Sequence, residues 1–298
     1  MMRAPRLYTR QAGLTLVELM ISLALGLLVV LAATALLQNA RAAYQDIDDA
    51  ARVQETGRMA LSHLAEALRQ AGHLPWETLS SQQASALKPG LLGADDSLDA
   101  HAFDPAQDKT GPRRGHGYNQ SDLLMIGLLG APPQAGGMVR NCSGAAVTDT
   151  RPQDAARSWV IYSIALGVGN EPELRCRYRG KKGGWTSDAV ARGVEAMQLR
   201  YALDSDGDGQ PDRWLDASAI SGDDWRRVRL VRIALLVRGT LRRPAPAGAT
   251  PRTYQLFGGA DNDSAWRYTE KRGEQRLRMV FQTTVFLRNM PVDKSTAP

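Results

Sequence analysis

The residues best able to do chemistry lie in Asp204-Ser-Asp206-Gly-Asp208-Gly209-Gln210-Pro-Asp212, where carboxylates recur at alternate positions around glycines. That spacing is the first half of a calcium loop of the EF-hand type. Asp204, Asp206 and Asp208 present oxygens to a hard cation, Gly209 permits the sharp turn, Gln210 offers its backbone carbonyl, and Asp212 binds directly or through water. The bidentate glutamate that closes such a loop is missing, because Leu215 holds its place with Asp216 next door as a substitute. Crowding this much negative charge is unfavourable without a cation, but aspartate and glycine are also common turn residues. Calcium and a solvated turn are the two readings, and calcium is expected to bind weakly, around 10⁻⁴–10⁻³ M, and to rigidify a loop between strands.

The remaining candidates are few. Cys142 and Cys176 are the only two cysteines. In an exported domain the oxidising compartment favours joining them, closing a loop of about 35 residues and contributing roughly 3–4 kcal/mol; two buried thiols are the alternative. Neither has the close Cys or His companions of a zinc site. His63, His73, His101 and His116 are scattered, and no serine or cysteine sits in a recognised nucleophile context. No enzyme is expected.

Glu18 is the other anomaly. It lies in an apolar run from Leu14 to Leu37, about 24 residues, which crosses a hydrocarbon core of about 30 Å as one helix. A carboxylate at the centre of such a segment costs roughly 2.5–3.5 kcal/mol, and less near its end, so a partner charge is the natural offset. The run follows a short leader with Arg3, Arg6 and Arg10 that ends in Gly13. A secretory signal cut at Ala33-Thr34-Ala35 has an apolar region of only about 7–15 residues and no use for Glu18. A plain signal anchor explains the length and leaves Gly13 and Glu18 as accidents.

Gly13-Leu14-Thr15-Leu16-Val17-Glu18 resembles the class III signal of type IV pilins and pseudopilins. The resemblance implies that a prepilin peptidase of the inner membrane cuts after Gly13 and methylates the new amino terminus at Leu14. It also implies that Glu18 neutralises the terminal amine of an adjacent subunit in the filament. Leu14 stands where phenylalanine is usual, and the run lacks the proline of many major pilins, which points away from a major subunit.

The elements that position these residues follow from periodicity. Tyr44, Ile47, Ala51, Leu61, Leu64, Ala65 and Leu68 recur at helical spacing, with Gly57 as a weak point and Gly72 and Pro75 as a stop. An unbroken helix from Leu14 to Ala71 would be about 87 Å long. Residues 73–120 lose periodicity and read as an irregular insertion with at most a short helix. Beyond them Leu123–Leu129, Trp159–Leu166, Leu174–Arg179, Met197–Leu203, Val231–Arg238 and Met279–Leu287 read as strands, most of them with period-two alternation. One polar, often arginine-rich face predicts an antiparallel sheet covered on one side by the helix and solvated on the other. The division is a leader (1–13), a transmembrane or filament-core helix (14–37), an amphipathic helix (38–72), an irregular insertion (73–120) and a β-rich head (121–298).

Arg58 to Gly72 is similar to the helix of the PilW family of minor pilins and the related J-type minor pseudopilins. The aspartate loop followed by Trp214, Trp225 and Val228–Arg238 is similar to that family's head. The fold implied is α+β and pilin-like, a long helix laid on a mainly antiparallel sheet. Without Arg3, Arg6 and Arg10 the 37 basic residues become 34 against 31 acidic ones, a net of +3. That charge, with no ladder of aromatics beside the arginines, argues against a nucleic-acid surface.

The function implied is a minor pilin of a type IV pilus, at or near the tip, helping to prime assembly and supporting adhesion, twitching motility or DNA uptake. Its partners would be other minor and major pilins, and its location the inner membrane with a periplasmic head, then the pilus. A minor pseudopilin of a type II secretion system and a calcium-dependent surface adhesin with an uncut anchor are the alternatives.

Overall fold

The computed structural model describes residues 13, 15–75, 79–97, 115, 117–131, 139–180, 183–243, 248–257, 266–273 and 275–290. Helix α1 (Leu16–Gln70) begins where the Thr15 hydroxyl accepts the Glu18 amide at 3.3 Å, a side-chain cap for one of the first free N–H groups. The chain divides into two units, residues up to Asp48 and residues from Asp49 onward. In the first unit the apolar side chains from Leu16 to Leu37 have no cover among the described residues, with Val29 68% exposed. This part of α1 is long and apolar enough to cross a membrane.

In the second unit α1 buries Asp49, Val53, Gly57, Ala60, Leu64, Ala65 and Leu68, a stripe at steps of three and four residues. The stripe differs from the one expected. Tyr44, Ile47 and Ala51 are exposed, and Asp49 and Gly57 take inward places. Close approach is the reason. A methyl group on Gly57 would lie 2.4 Å from the Phe281 ring, so the glycine is the seat of that ring. Asp49 can be buried because its carboxylate accepts the Thr240 amide at 2.8 Å and the Thr240 hydroxyl at 3.1 Å. The helix stops as expected, with Gly72 at φ +69° and its amide donating to the Gly127 carbonyl at 3.2 Å.

Among its described residues the insertion holds a strand as well as the short helix expected. Ser80 and Gln83 form a capping box that starts α2 (Ser81–Ala86). Leu91–Ala94 is a strand, β1, paired antiparallel with β2 (Leu123–Leu128), with Leu91 opposite Ile126. Periodicity could not reveal a four-residue strand lying inside a polar stretch. Its partner, β2, is buried along its whole length.

β2 continues into β3 (Ser158–Leu166), β4 (Pro172–Arg179) and β5 (Trp185–Arg192), giving a five-stranded antiparallel sheet in the order β1-β2-β3-β4-β5. The chain crosses at Gly193 into β6 (Val194–Leu203), which with β7 (Arg213–Leu215), β8 (Val228–Arg238) and β11 (Arg278–Phe286) makes a second sheet, ordered β11-β8-β6-β7. A small pair, β9 (Thr253–Gln255) and β10 (Arg267–Thr269), stands apart from both. The main core joins the α1 stripe to inward residues of both sheets, among them Leu124, Ile126, Tyr162 and Ile164 from one and Met197, Leu199, Ile233 and Leu235 from the other.

The expectation of one sheet with a solvated polar face is corrected in two ways. Among the described residues there are two large sheets, and their outer faces are partly covered. Trp159, Ile161, Leu123 and Met125 pack on the far side of the first, and Leu256 with Tyr254, Trp266 and Tyr268 covers Ala196, Ala234 and Leu236 on the second. Arginines expected in solvent are therefore buried, Arg177 at 6% and Arg200 at 8% exposure, and Arg278 is buried too. Their guanidinium planes are held by aromatic faces and carboxylates: Arg177 lies 4.3 Å from the Trp185 ring centre, and Arg278 donates to Glu195 at 2.6 Å.

The Gly57 contact yields a direct test. Gly57→Ala gains roughly 1 kcal/mol of helix propensity and drives a methyl group into Phe281, an overpacking cost of about 1–3 kcal/mol. The thermal midpoint of the full-length protein in detergent should therefore fall, and Phe281→Ala in the same chain should recover part of the loss. A rise in the midpoint on Gly57→Ala would contradict the packing described.

Candidate functional site

Gly13 precedes α1, and Leu14, the expected methylated residue, lies outside the described residues. Glu18 sits in the first turn of α1 and is exposed. Its backbone carbonyl accepts the Ser22 hydroxyl at 2.8 Å, and its exposed side chain stands near the positive end of the helix dipole. Around it the exposed Leu16, Val17, Leu19 and Met20 form an apolar collar. A carboxylate in such a collar becomes costly once lipid or other helices close over it.

The aspartate loop joins β6 to β7. Asp204, 1% exposed, follows the last residue of β6. One of its oxygens accepts the Gly207 amide at 2.7 Å, and the other accepts the Gly209 amide at 3.0 Å. Gly209 takes φ +88°, as the sharp turn requires. Asp206 accepts the Asp208 amide at 3.2 Å, and Asp208 accepts the Gln210 amide at 2.7 Å. One oxygen each from Asp204, Asp206 and Asp208 lies within 4.8 Å of the others, the spread of ligands around an ion bound at about 2.4 Å.

The rest of the expected ligand set is placed elsewhere. Asp212 accepts the Ser205 hydroxyl and, at 3.1 Å, the Ser205 amide, and these bonds hold its carboxyl below the usual range. Asp216 pairs with Arg200 at 3.3 Å instead of closing the loop. The residue that sequence reasoning missed is Arg229 of β8, 4% exposed, whose Nε and Nη2 donate to Asp204 at 3.2 and 3.1 Å. The loop therefore carries its own cation for the buried carboxylate. No spacing rule pointed to this pair, since the two residues are 25 apart in sequence and meet only through the β6–β8 pairing.

Cys142 and Cys176 are joined in a disulfide, with Cα atoms 6.5 Å apart, which ties the loop around residues 139–147 to β4. The described histidines are structural. His63 bonds the Tyr162 hydroxyl at 3.0 Å with its pKa lowered by burial, and His73 bonds the Leu129 carbonyl at 3.0 Å. His101 and His116 lie outside the described residues. A further group of buried charges, also unforeseen, links the small β9–β10 pair to the second sheet. Arg278 bonds Glu195 and, at 2.9 Å, Glu270, while Arg238 bonds Glu195 at 3.0 Å and Glu171 at 2.8 Å.

Comparison with known families is decisive at this point. The model for the prokaryotic N-terminal methylation motif matches residues 8–34, and the model described as Type IV Pilus-assembly protein W, PilW, matches residues 161–289. The chain carries a PilW domain. It is a type IV pilin-like minor pilin, and its methylation motif spans Gly13, Leu14, Glu18 and much of the apolar half of α1. The PilW match runs from within β3 to the residues just after β11 and takes in the aspartate loop and Arg229. A comparison with curated proteins finds no match. Among solved structures the chain is similar to a type IV-like pilin from Thermus thermophilus, with 16% identity over 80% of this chain and 98% of the other and a TM-score of 0.38. That likeness is too distant to carry an argument.

The buried pair at the loop makes a prediction for this PilW head. Arg229→Met leaves Asp204 as an uncompensated buried charge and should destabilise the folded protein by about 3–5 kcal/mol. Asp204→Asn with Arg229→Met should cost less than Arg229→Met alone. Chemical denaturation of the full-length variants in detergent measures both, and equal losses would show that the pair is not coupled.

Proposed function

We propose that this chain with its PilW domain is a minor subunit of a type IV pilus, incorporated in small number at or near the filament tip, where it helps to prime assembly. The observation that carries the reading is the union, in one element, of a methylation motif with an apolar helix that has no cover of its own. Such a surface is stable only in lipid or against other helices of the same kind. The physical sequence follows from that. The chain waits in the inner membrane, loses residues 1–13 to the prepilin peptidase, and moves sideways into a bundle of equivalent helices of minor and major pilins.

Glu18 gives the transfer direction. In the bundle the dielectric is low, so a carboxylate is favourable only beside a positive charge. The methylated amine at Leu14 of a neighbouring subunit supplies it. The pair sets the axial position of each incoming helix, while the PilW head, stapled by Cys142–Cys176, is left outside the bundle to meet its neighbours.

Calcium in the aspartate loop belongs to the same reading. Asp206 and Asp208 are exposed, and with Asp204 they place three carboxylate oxygens within 4.8 Å of one another. Arg229 already balances Asp204, so the ion would balance Asp206 and Asp208 and add rigidity without deciding whether the head folds. Binding would be weak, in the range of about 10⁻⁴–10⁻³ M.

Two outcomes are expected. Glu18→Ala should leave the protein in the inner membrane but remove it from sheared filaments and reduce the number of pili per cell, as deletion of the gene would. Normal piliation after deletion, together with absence of the wild-type protein from filaments, would contradict the pilus assignment. Calcium at millimolar concentration should raise the thermal midpoint of the full-length protein by a few degrees, and Asp206→Ala should abolish the rise; an equal rise in the variant would remove calcium from the loop.

A further inference from the structure

A cavity of about 830 Å³ lies where α2, the aspartate loop and the start of β8 meet. Four arginines line it: Arg157 just before β3, Arg226 and Arg227 in the turn that leads into β8, and Arg229 in the first turn of chain beyond it. Leu74, Ala84 and Met290, all buried, give the cavity apolar walls. Three carboxylates also reach it, those of Asp204, Asp223 and Asp224.

Two of the four guanidiniums are matched by the protein itself. Arg229 pairs with Asp204 at 3.1 Å, and Arg226 pairs with Asp223 at 3.1 Å. Arg226 also donates to the Ser85 and Leu87 carbonyls, which holds the end of α2 against the turn before β8. Arg157 and Arg227 are not matched in this way. Arg157, 4% exposed, donates from Nη1 to the Lys88 carbonyl, reaches the Asp154 carboxylate only at 3.8 Å, and leaves Nε without an acceptor. The half-buried Arg227 makes no side-chain hydrogen bond or ion pair among the described residues. Asp224, the remaining carboxylate, is exposed to water.

Burial pushes the Arg157 guanidinium down to about 10, with the charge of Asp154 opposing the fall and that of Arg226 adding to it. A buried guanidinium with an unmet donor, beside further positive charge, is costly until an anion reaches it. Its planar fork of N–H groups matches the paired oxygens of a carboxylate. Phosphate offers similar oxygens but nothing to set against Leu74, Ala84 and Met290, whereas a carboxylate on a hydrocarbon stem satisfies both kinds of wall. We propose that this cavity binds a carboxylate carried on an apolar stem, with Arg157 as its cationic partner, the apolar walls along the stem, and the charge of Arg227 drawing it in. The carboxylate can come from the chain end of a neighbouring protein or from a free small organic acid.

Titration of the full-length protein in non-ionic detergent at constant ionic strength tests this, with the thermal midpoint as readout. The probes are Nα-acetyl-leucine, which presents a chain-end carboxylate, and pentanoate, a free acid, with Nα-acetyl-leucine amide as the uncharged control. A saturable rise with both acids and none with the amide establishes the carboxylate chemistry, and a rise with only one acid identifies the source. Arg157→Gln should weaken the response about tenfold, and Arg227→Gln about threefold. If Arg157→Gln fails to fold, Arg227→Gln carries the test alone. No rise with either acid, an equal rise with the amide or with sodium chloride, a larger rise with inorganic phosphate, or a response unchanged in the variants would overturn the proposal.

Discussion

The contact on which the head depends is the burial of one stripe of α1 between two sheets. Leu64, Leu68 and Ala60 are completely removed from solvent, and each is touched by a core that also holds inward residues of β2, β3, β6 and β8. Fully burying a leucine stabilises by roughly 1.5–3 kcal/mol, so the stripe is a large share of what a head of this size can hold in reserve. The same element, a few turns earlier, is apolar all round and uncovered. One helix thus has two surroundings, a protein core for its second half and lipid or neighbouring helices for its first.

Charge inside the head follows from the same constraint. Once sheets are covered on both faces, the arginines that alternate with apolar residues along β4, β6, β8 and β11 are drawn in with them. They are paired with carboxylates: Arg229 with Asp204, Arg278 with Glu195 and Glu270, and Arg238 with Glu195 and Glu171. Removing either member of such a pair costs far more than the pair contributes. These pairs therefore fix how β6, β8, β11 and the β9–β10 pair meet, more than they add to overall stability.

Local chemistry was readable from the residues, and long-range pairing was not. The length of α1, its end at Gly72, the alternation of Val231, Ile233, Leu235 and Val237, and the joining of Cys142 to Cys176 each depend on spacing or compartment, and all appear in the structure. β1 was hidden because four residues carry too little periodicity. The buried arginines were misassigned to solvent because sequence does not say what covers the second face of a sheet. Asp49 could not be read as inward because a carboxylate reads as polar until the loop at Thr240 that donates to one of its oxygens is known. The aspartate loop was legible as a cluster of carboxylates, three of which lie close together in the structure, and Arg229, which pairs with the first of them, became visible only with the strand pairing.

Everything proposed for the first half of α1 rests on the chain being cut and methylated at its amino terminus. The intact mass of the protein from cells with and without the prepilin peptidase measures this directly. The account predicts loss of residues 1–13 with one added methyl group on Leu14, only when the peptidase is present. An uncut chain in both strains, or a cut after Ala35, would contradict it and leave an anchored or secreted protein in place of a filament subunit.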